Sequence, residues 1–304
     1  MTNSNSFTIA VTDSGIGGLA VAAELMEQLK YPSACLLNKQ ESPKPDVRVV
    51  FYNALFDNAS GYNRLPRHED KVQMFDAALE GLNRDVQPDI LLIACNTLSV
   101  IYPETQFSQQ VTYPVKGILD AGIALIQNVL ESDSAAKVII FGTKLTVETN
   151  YFPNKLAAAG IARGRVVQQA CPELVGSIER GWNSDETRQR IEDYVQQALA
   201  QLNDSISPII ISYNCTHFPY AQALWEAAFA KHQRKPQMYL DPGKAMLDVQ
   251  ESFPGLLTSS TRVSAEVISM VEFSDETIQQ FQPLLETTSP EIAEALKNYY
   301  LKPD

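Results

Sequence analysis

Along the chain, short apolar runs rich in β-branched residues alternate with longer stretches whose apolar positions recur at helical spacing. The short runs predict strands over 8–12, 47–52, 90–94, 114–117, 137–141, 165–169 and 208–212. The longer stretches predict helices near 17–30, 67–84, 119–132, 146–159, 185–202 and 219–231. Several strands are apolar on successive residues, as in "ILLIA", "KVIIF" and "PIIIS". Strands of that kind are buried on both faces, so the alternation predicts right-handed βαβ units and an α/β fold with mainly parallel sheets flanked by helices.

The pattern also repeats. In the first half one strand runs into "TDSGIGG" and another into "ACNTLS"; in the second half one runs into "GTKLT" and another into "NCTHFP". Each half thus has one Gly/Ser/Thr-rich strand end and one Cys-containing strand end. The repeat predicts two pseudo-symmetric α/β lobes with the active site in the cleft between them. The first lobe is expected to comprise 1–117 plus a returning 219–304, and the second 118–218. Three stretches fall outside the repeat: a Pro-rich polar insertion at 30–46, a long loop at 53–66, and a tail from 253. The tail carries an alternating strand-like run over 263–273 and helical patterns at 275–286 and 289–300.

Composition narrows the partners. The chain has 36 acidic residues against 24 Lys and Arg, a net charge of -12. Such a field repels phosphate, so neither nucleic acid nor an anionic membrane is expected as a partner. No apolar run is long enough to span a bilayer, and the polar start "MTNSNSFTIAV" lacks the basic and apolar regions of a signal peptide. A cytoplasmic location, where thiols stay reduced, is the expectation. The four cysteines, Cys35, Cys95, Cys171 and Cys215, form no C-x-x-C pair, and three His do not complete a zinc site, so no metal is expected. Cys35 in the insertion and Cys171 before Pro172 read as structural.

Cys95 and Cys215 stand apart. Both sit at the carboxyl ends of predicted parallel strands, where α/β proteins bind ligands. There, backbone N–H groups and a helix N-terminus favour a thiolate. Both are followed by short polar side chains suited to a carboxylate: Asn96 and Thr97 in one case, Thr216 and His217 in the other. Two thiols acting on one carbon suit removal of a proton from one face and delivery to the other, which is stereoinversion. The turn Gly15-x-Gly17-x-x-Ala20 could instead open a dinucleotide site, but no acidic residue ends the next strand to hold a ribose. A non-catalytic ligand-binding module is a third reading, disfavoured by the presence of both cysteines.

These residues carry a resemblance. Asp13-Ser14-Gly15-x-Gly17-Gly18-Leu19, Ile93-Ala94-Cys95-Asn96-Thr97 and Cys215-Thr216-His217-Phe218-Pro219 run in the order found in the cofactor-independent aspartate/glutamate racemases, and most resemble the glutamate racemases among them. Gly142-Thr143-x-x-Thr146-Val147, and Cys171-Pro172 followed by Glu179, support it. The resemblance implies that Cys95 and Cys215 are the acid–base pair. Asp13 would assist Cys95; His217 and Glu179 would assist Cys215. Ser14, Asn96, Thr97, Thr143, Thr146 and Thr216 would hold a small acidic substrate by its α-carboxylate and amine. It implies no cofactor and a possible homodimer. The family's Pro-Tyr-Gly motif is replaced by Ser60-Gly61-Tyr62-Asn63 in a longer loop, where Tyr62 and Asn63 are the candidate side-chain contacts. Blander roles stand beside these: Asp13 as a helix cap, His217 as an ordinary capping residue, Glu179 as a solvated helix residue. Hydantoin racemases and maleate isomerases share the superfamily and are the alternative activities.

Overall fold

Strand β1 (Ser6–Asp13) is buried from its third residue onward, and β7 (Ile209–Asn214) along its whole length. Such strands need cover on both faces, and the computed structural model, which describes residues 6–31, 46–57, 61–202, 206–247 and 262–302, supplies it with helices. The remaining strands are β2 (Asp46–Asn53), β3 (Ile90–Ile93), β4 (Val115–Gly117), β5 (Lys137–Gly142), β6 (Val166–Ala170), β8 (Met238–Leu240), β9 (Arg262–Ser269) and β10 (Tyr300–Leu301). Every pairing between them is parallel.

The chain divides into two compact units, Met1–Gly117 with Leu247–Asp304, and Ile118–Met246. The first holds a six-stranded sheet in the order β10-β9-β2-β1-β3-β4, the second a four-stranded sheet in the order β6-β5-β7-β8. The repeat is visible in these orders. In each unit the first strand is flanked by the second on one side and the third on the other, with the fourth outside the third.

Four details differ from the sequence reading. The second unit does not end at 218. It runs on to Met246, because β8 pairs with β7 through Ile210↔Met238 to Ser212↔Leu240 and so carries the helix Gln222–Lys231 with it. The helical pattern at 146–159 is two helices, Lys144–Glu148 and Tyr151–Ala158, parted at Asn150, whose φ of 51° is left-handed. The tail's strand-like run, expected over 263–273, is β9, which stops at Ser269 and pairs with β2 along its full length from Asp46↔Arg262 to Asn53↔Ser269. The final helix stops at Lys297, and the chain then enters β10. Most of the insertion, with Cys35, lies outside the described residues.

Candidate functional site

Strand order places the chemistry. In the first unit the chain moves from β1 to β2 on one side, then returns to β3 on the other. A crevice therefore opens beyond the carboxyl ends of β1 and β3, at the point where the strand order reverses, which is where open α/β sheets bind ligands. Ala94 N–H donates to the Thr12 carbonyl at 2.9 Å, so the next residues on each strand, Asp13 and Cys95, come side by side. Both are buried, at 1% and 6% exposure.

Ser14 joins them. Its hydroxyl lies 3.2 Å from Cys95 Sγ and 3.5 Å from Asp13 Oδ1, and its backbone N–H donates to the same Asp13 oxygen. Asp13 is not the cap of the following helix. That helix, Leu19–Lys30, is entered through Gly18, with no side-chain cap bond. Gly18 is required for another reason: a Cβ there would stand 2.7 Å from Asp13 Cβ and 2.8 Å from Asp13 Oδ2. Gly18 therefore makes room for the carboxylate. The end of β2, where a ribose-binding acid would stand, holds Asn53 instead, whose Nδ2 donates to Ser269 Oγ at 2.9 Å.

Burial, and then the negative charge of Asp13, push the Cys95 thiol well above its ordinary range, with the Ser14 hydroxyl offsetting part of this. At neutral pH Cys95 rests as a thiol. Asn96 and Thr97 follow it in the short helix Asn96–Ile101, and both are buried. Tyr62, in the short helix Gly61–Arg64, is buried with its hydroxyl donating to the Ala54 carbonyl at 2.8 Å. Its ring meets Phe56 and Phe75 edge-on. The Tyr62 side chain thus pins the loop to its unit. Asn63, next to it, is exposed, and Ser60 lies outside the described residues.

The second unit repeats the plan. Gly142 on β5 pairs with Asn214 on β7 and with Ala170 on β6, so the reversal point lies between β5 and β7. Thr143 and Cys215 leave those strand ends. Thr143 caps the helix Lys144–Glu148, accepting from Thr146 N–H, and the two threonine hydroxyls lie 3.1 Å apart. Cys215 and Thr216 are buried, at 7% and 8% exposure.

His217 is 3% exposed and held at both ring nitrogens: Nδ1 is 3.9 Å from Cys215 Sγ, and Nε2 is 2.8 Å from Glu179 Oε1. Burial by itself would lower the His217 pKa. The hydrogen bonds and charges of Cys215 and Glu179 outweigh it and hold the ring's pKa well above the usual value. Two nitrogens facing two acceptors suit an imidazolium, which donates from both. Glu179 projects from the helix Leu174–Gly181 and meets His217, so it is not a merely solvated helix residue.

Each unit thus carries a buried thiol at the carboxyl end of a strand, with its own polar assistants. Cys171 is buried as well, its thiol 3.6 Å from the Gln169 carbonyl and raised in pKa first by burial. The sequence reading missed two supports of the second cluster. Ser212 Oγ donates to Asn214 Oδ1 at 2.8 Å in the buried strand leading to Cys215. Trp225 Nε1 donates to the Phe218 carbonyl at 3.2 Å, fixing the turn just after His217. Trp225 sits at core spacing on its helix and packs on Phe141, Tyr213 and Phe218, so its pattern reads as plain core. Among the described residues no His/Cys/Asp/Glu group has a metal-holding arrangement, and no helix is long and apolar enough to cross a membrane.

A family model described as Asp/Glu/Hydantoin racemase matches residues 42–248, more than half of the chain. Glutamate racemase 3 of Caldanaerobacter subterraneus is 27% identical over 214 residues, 70% of this chain and 67% of its own. Glutamate racemase of Syntrophus aciditrophicus is 26% identical over 245 residues, 79% of this chain and 77% of its own. Among solved structures, glutamate racemase from Francisella tularensis in complex with D-glutamate superposes with a TM-score of 0.67 at 20% identity, covering 98% of this chain and 97% of that one. Glutamate racemase from Campylobacter jejuni superposes with a TM-score of 0.63 at 21% identity, covering 92% and 97%. At these identities the structural likeness speaks for the fold.

Proposed function

The chain belongs to the Asp/Glu/Hydantoin racemase family and is an amino-acid racemase, and from that premise we propose that glutamate is its substrate and that Cys95 and Cys215 are its two acid–base groups. One observation carries the assignment of the thiols. Each is buried at a strand end where strand order reverses, and each has a separate set of partners: Asp13 and Ser14 for Cys95, His217 and Glu179 for Cys215. The names of the relatives support the substrate.

In this reading the Cys215 thiolate takes the α-proton, and the Cys95 thiol gives its own proton to the opposite face of the carbanion. The C–H bond broken at one face is replaced by a C–H bond at the other, and the two sulfurs exchange protonation states. The reverse reaction uses the same groups with roles exchanged. Cys95 starts as the loaded donor because burial and Asp13 keep its proton on. The protonated His217, shared between Glu179 and Cys215, offsets the charge of a thiolate at Cys215 and can exchange its proton.

Ser14, Asn96, Thr97, Thr143, Thr146 and Thr216 are the proposed contacts to the α-carboxylate and amine, since short hydroxyl and amide groups can donate to the one and accept from the other. Tyr62 and Asn63 are proposed for the substrate's side-chain end, Tyr62 by holding the short helix Gly61–Arg64 in place. The reading places the enzyme in the cytoplasm, where both thiols stay reduced. The purified protein, given L-glutamate without pyridoxal phosphate or metal, is expected to form D-glutamate on chiral chromatography until the two are equal. L-Aspartate should react more slowly. A failure to invert any acidic amino acid would remove the proposed substrate class.

A further inference from the structure

The helix Leu174–Gly181 carries Glu179, yet little within the helix fixes its position. It is about two turns long and contains Gly176 and Gly181, so it would not stand alone. Its entry residue, Glu173, has a φ of 64° and supplies no side-chain cap. A residue with a side chain rarely takes that left-handed conformation unless its surroundings impose it. The helix buries Leu174, Ser177 and Ile178, whereas the Glu179 side chain is 31% exposed and water competes for its carboxylate. The bond to His217 therefore depends on where the backbone of this helix is held. At 2.8 Å it has little slack, since a drift of about an ångström would take it out of hydrogen-bond range.

The next helix, Asp185–Ala200, holds it at both ends. Tyr194 Oη donates to the Pro172 carbonyl at 2.5 Å, just before the left-handed turn at Glu173. Thr187 Oγ1 donates to the Gly181 carbonyl at 2.7 Å, where the Ser184 N–H also donates at 3.0 Å. Thr187 and Tyr194 stand seven residues apart on one face, two turns or about 10.5 Å, which matches the length of the helix between their acceptors. Both are buried, at 0% and 8% exposure, and a buried hydroxyl needs a partner. Both find it on the backbone flanking Glu179. The clamping helix is itself fixed at its start, where Ser184 accepts from the Thr187 N–H. The pair of Arg180 and Glu186 also joins the two helices, but it is exposed and contributes little.

We propose that Tyr194 and Thr187 are positioning residues, which clamp the helix Leu174–Gly181 so that Glu179 stays within hydrogen-bond reach of His217. The inference rests on the reading of His217 as the assistant of Cys215, and it adds two residues that do not touch the reacting atoms. Among the described residues, Cys215 and Glu179 are the ionisable groups that act on the His217 ring. Tyr194 reaches the ring only through the backbone that carries Glu179. Burial, ahead of its neighbours' charges, raises the Tyr194 pKa, so its hydroxyl remains a donor across the working range of pH.

The test uses the full chain. It has three His, so NMR of histidine-labelled protein follows the His217 ring directly, and His217→Asn identifies its signal. In the wild type the ring should titrate above the ordinary value of about 6.5. In Tyr194→Phe its pKa should fall by about half a unit or more. Glutamate kcat should fall roughly tenfold, part of what an acid–base group contributes, with KM nearly unchanged. Thr187→Val should move both in the same direction, and Thr187→Ser, which keeps the hydroxyl, should restore them. Added to Glu179→Gln, Tyr194→Phe should bring almost no further loss, because the carboxylate it positions is gone. Ile126→Val, which trims a buried residue on another helix of the same unit, should lower the thermal midpoint and leave the His217 titration in place. A wild-type ring that titrates at the ordinary value overturns the proposal, as does a ring unmoved in both Tyr194→Phe and Thr187→Val. So does a movement that Ile126→Val reproduces, or a loss that adds in full to that of Glu179→Gln. The NMR readout needs no turnover. A ring that moves as expected in a protein that does not racemise glutamate supports the clamp and removes the substrate reading alone.

Discussion

Cys95→Ala and Cys215→Ala are each expected to lower the rate of glutamate racemisation by about 10³-fold or more in both directions, near the top of what a positioned acid–base group contributes. The reason is that inversion needs a base on one face and an acid on the other. Neither role can be taken over by a neighbour: Ser14 is a far weaker acid than a thiol, and His217 is already held between Cys215 and Glu179. Both cysteines are buried, so the loss must be separated from misfolding. Cys→Ser variants, nearly the same size, should show the same loss with an unchanged thermal midpoint. Substantial turnover in either alanine variant would contradict the two-thiol reading.

The second large effect is expected at Glu179. Glu179→Gln keeps an oxygen near His217 but removes the charge that helps hold the ring protonated against burial. Turnover should fall by roughly a hundredfold, the lower end of the acid–base range. The limb of the pH–rate profile that reports His217 should move to lower pH, and a merely structural role for Glu179 would not move it. Stability should follow the same proton. Because folding raises the His217 pKa, its contribution is complete below the ordinary histidine value of about 6.5 and is lost as pH rises through the folded value. In Glu179→Gln that loss should be smaller and complete at lower pH, as read by urea denaturation at a series of pH values.

The sheets were legible because their physics is local. "ILLI", "KVIIF" and "IIIS" are apolar on successive residues, which only a strand covered on both faces tolerates. The pattern failed where tertiary structure carried the signal. "MYL" at Met238–Leu240 is too short to stand out, yet it completes the second sheet as β4 completes the first. Following the internal repeat one strand further would have found it, and with it the true end of the second unit. The break at Asn150 rests on a left-handed residue that periodicity ignores.

The candidate residues divide in the same way. Cys95 and Cys215 were legible because a thiol between an apolar strand and a polar turn is unusual in sequence alone. The motif resemblance to the glutamate racemases agrees with the family match and with the relatives' names. Partners brought in from elsewhere in the chain were not legible from the residues themselves. Glu179 reaches His217 from a helix 38 residues away, and nothing in "SIERGW" announces it. The hydroxyl of Tyr62 is spent on the Ala54 carbonyl, a use that the motif could not reveal. Gly18 falls outside the Gly15-x-Gly17-x-x-Ala20 spacing and showed no role in sequence; the room it leaves is taken by Asp13.

The central claim is inversion by two separate thiols, and solvent isotope tests it most directly. Wild-type enzyme is incubated with L-glutamate in deuterated water, and the early product and remaining substrate are compared by NMR or mass spectrometry. The account predicts D-glutamate carrying deuterium at Cα from the first turnovers, while the unreacted L-glutamate keeps its α-proton. D-Glutamate that retains the original proton, or L-glutamate that gains deuterium faster than it inverts, would mean that a single group both removes and returns the proton, and would contradict the account.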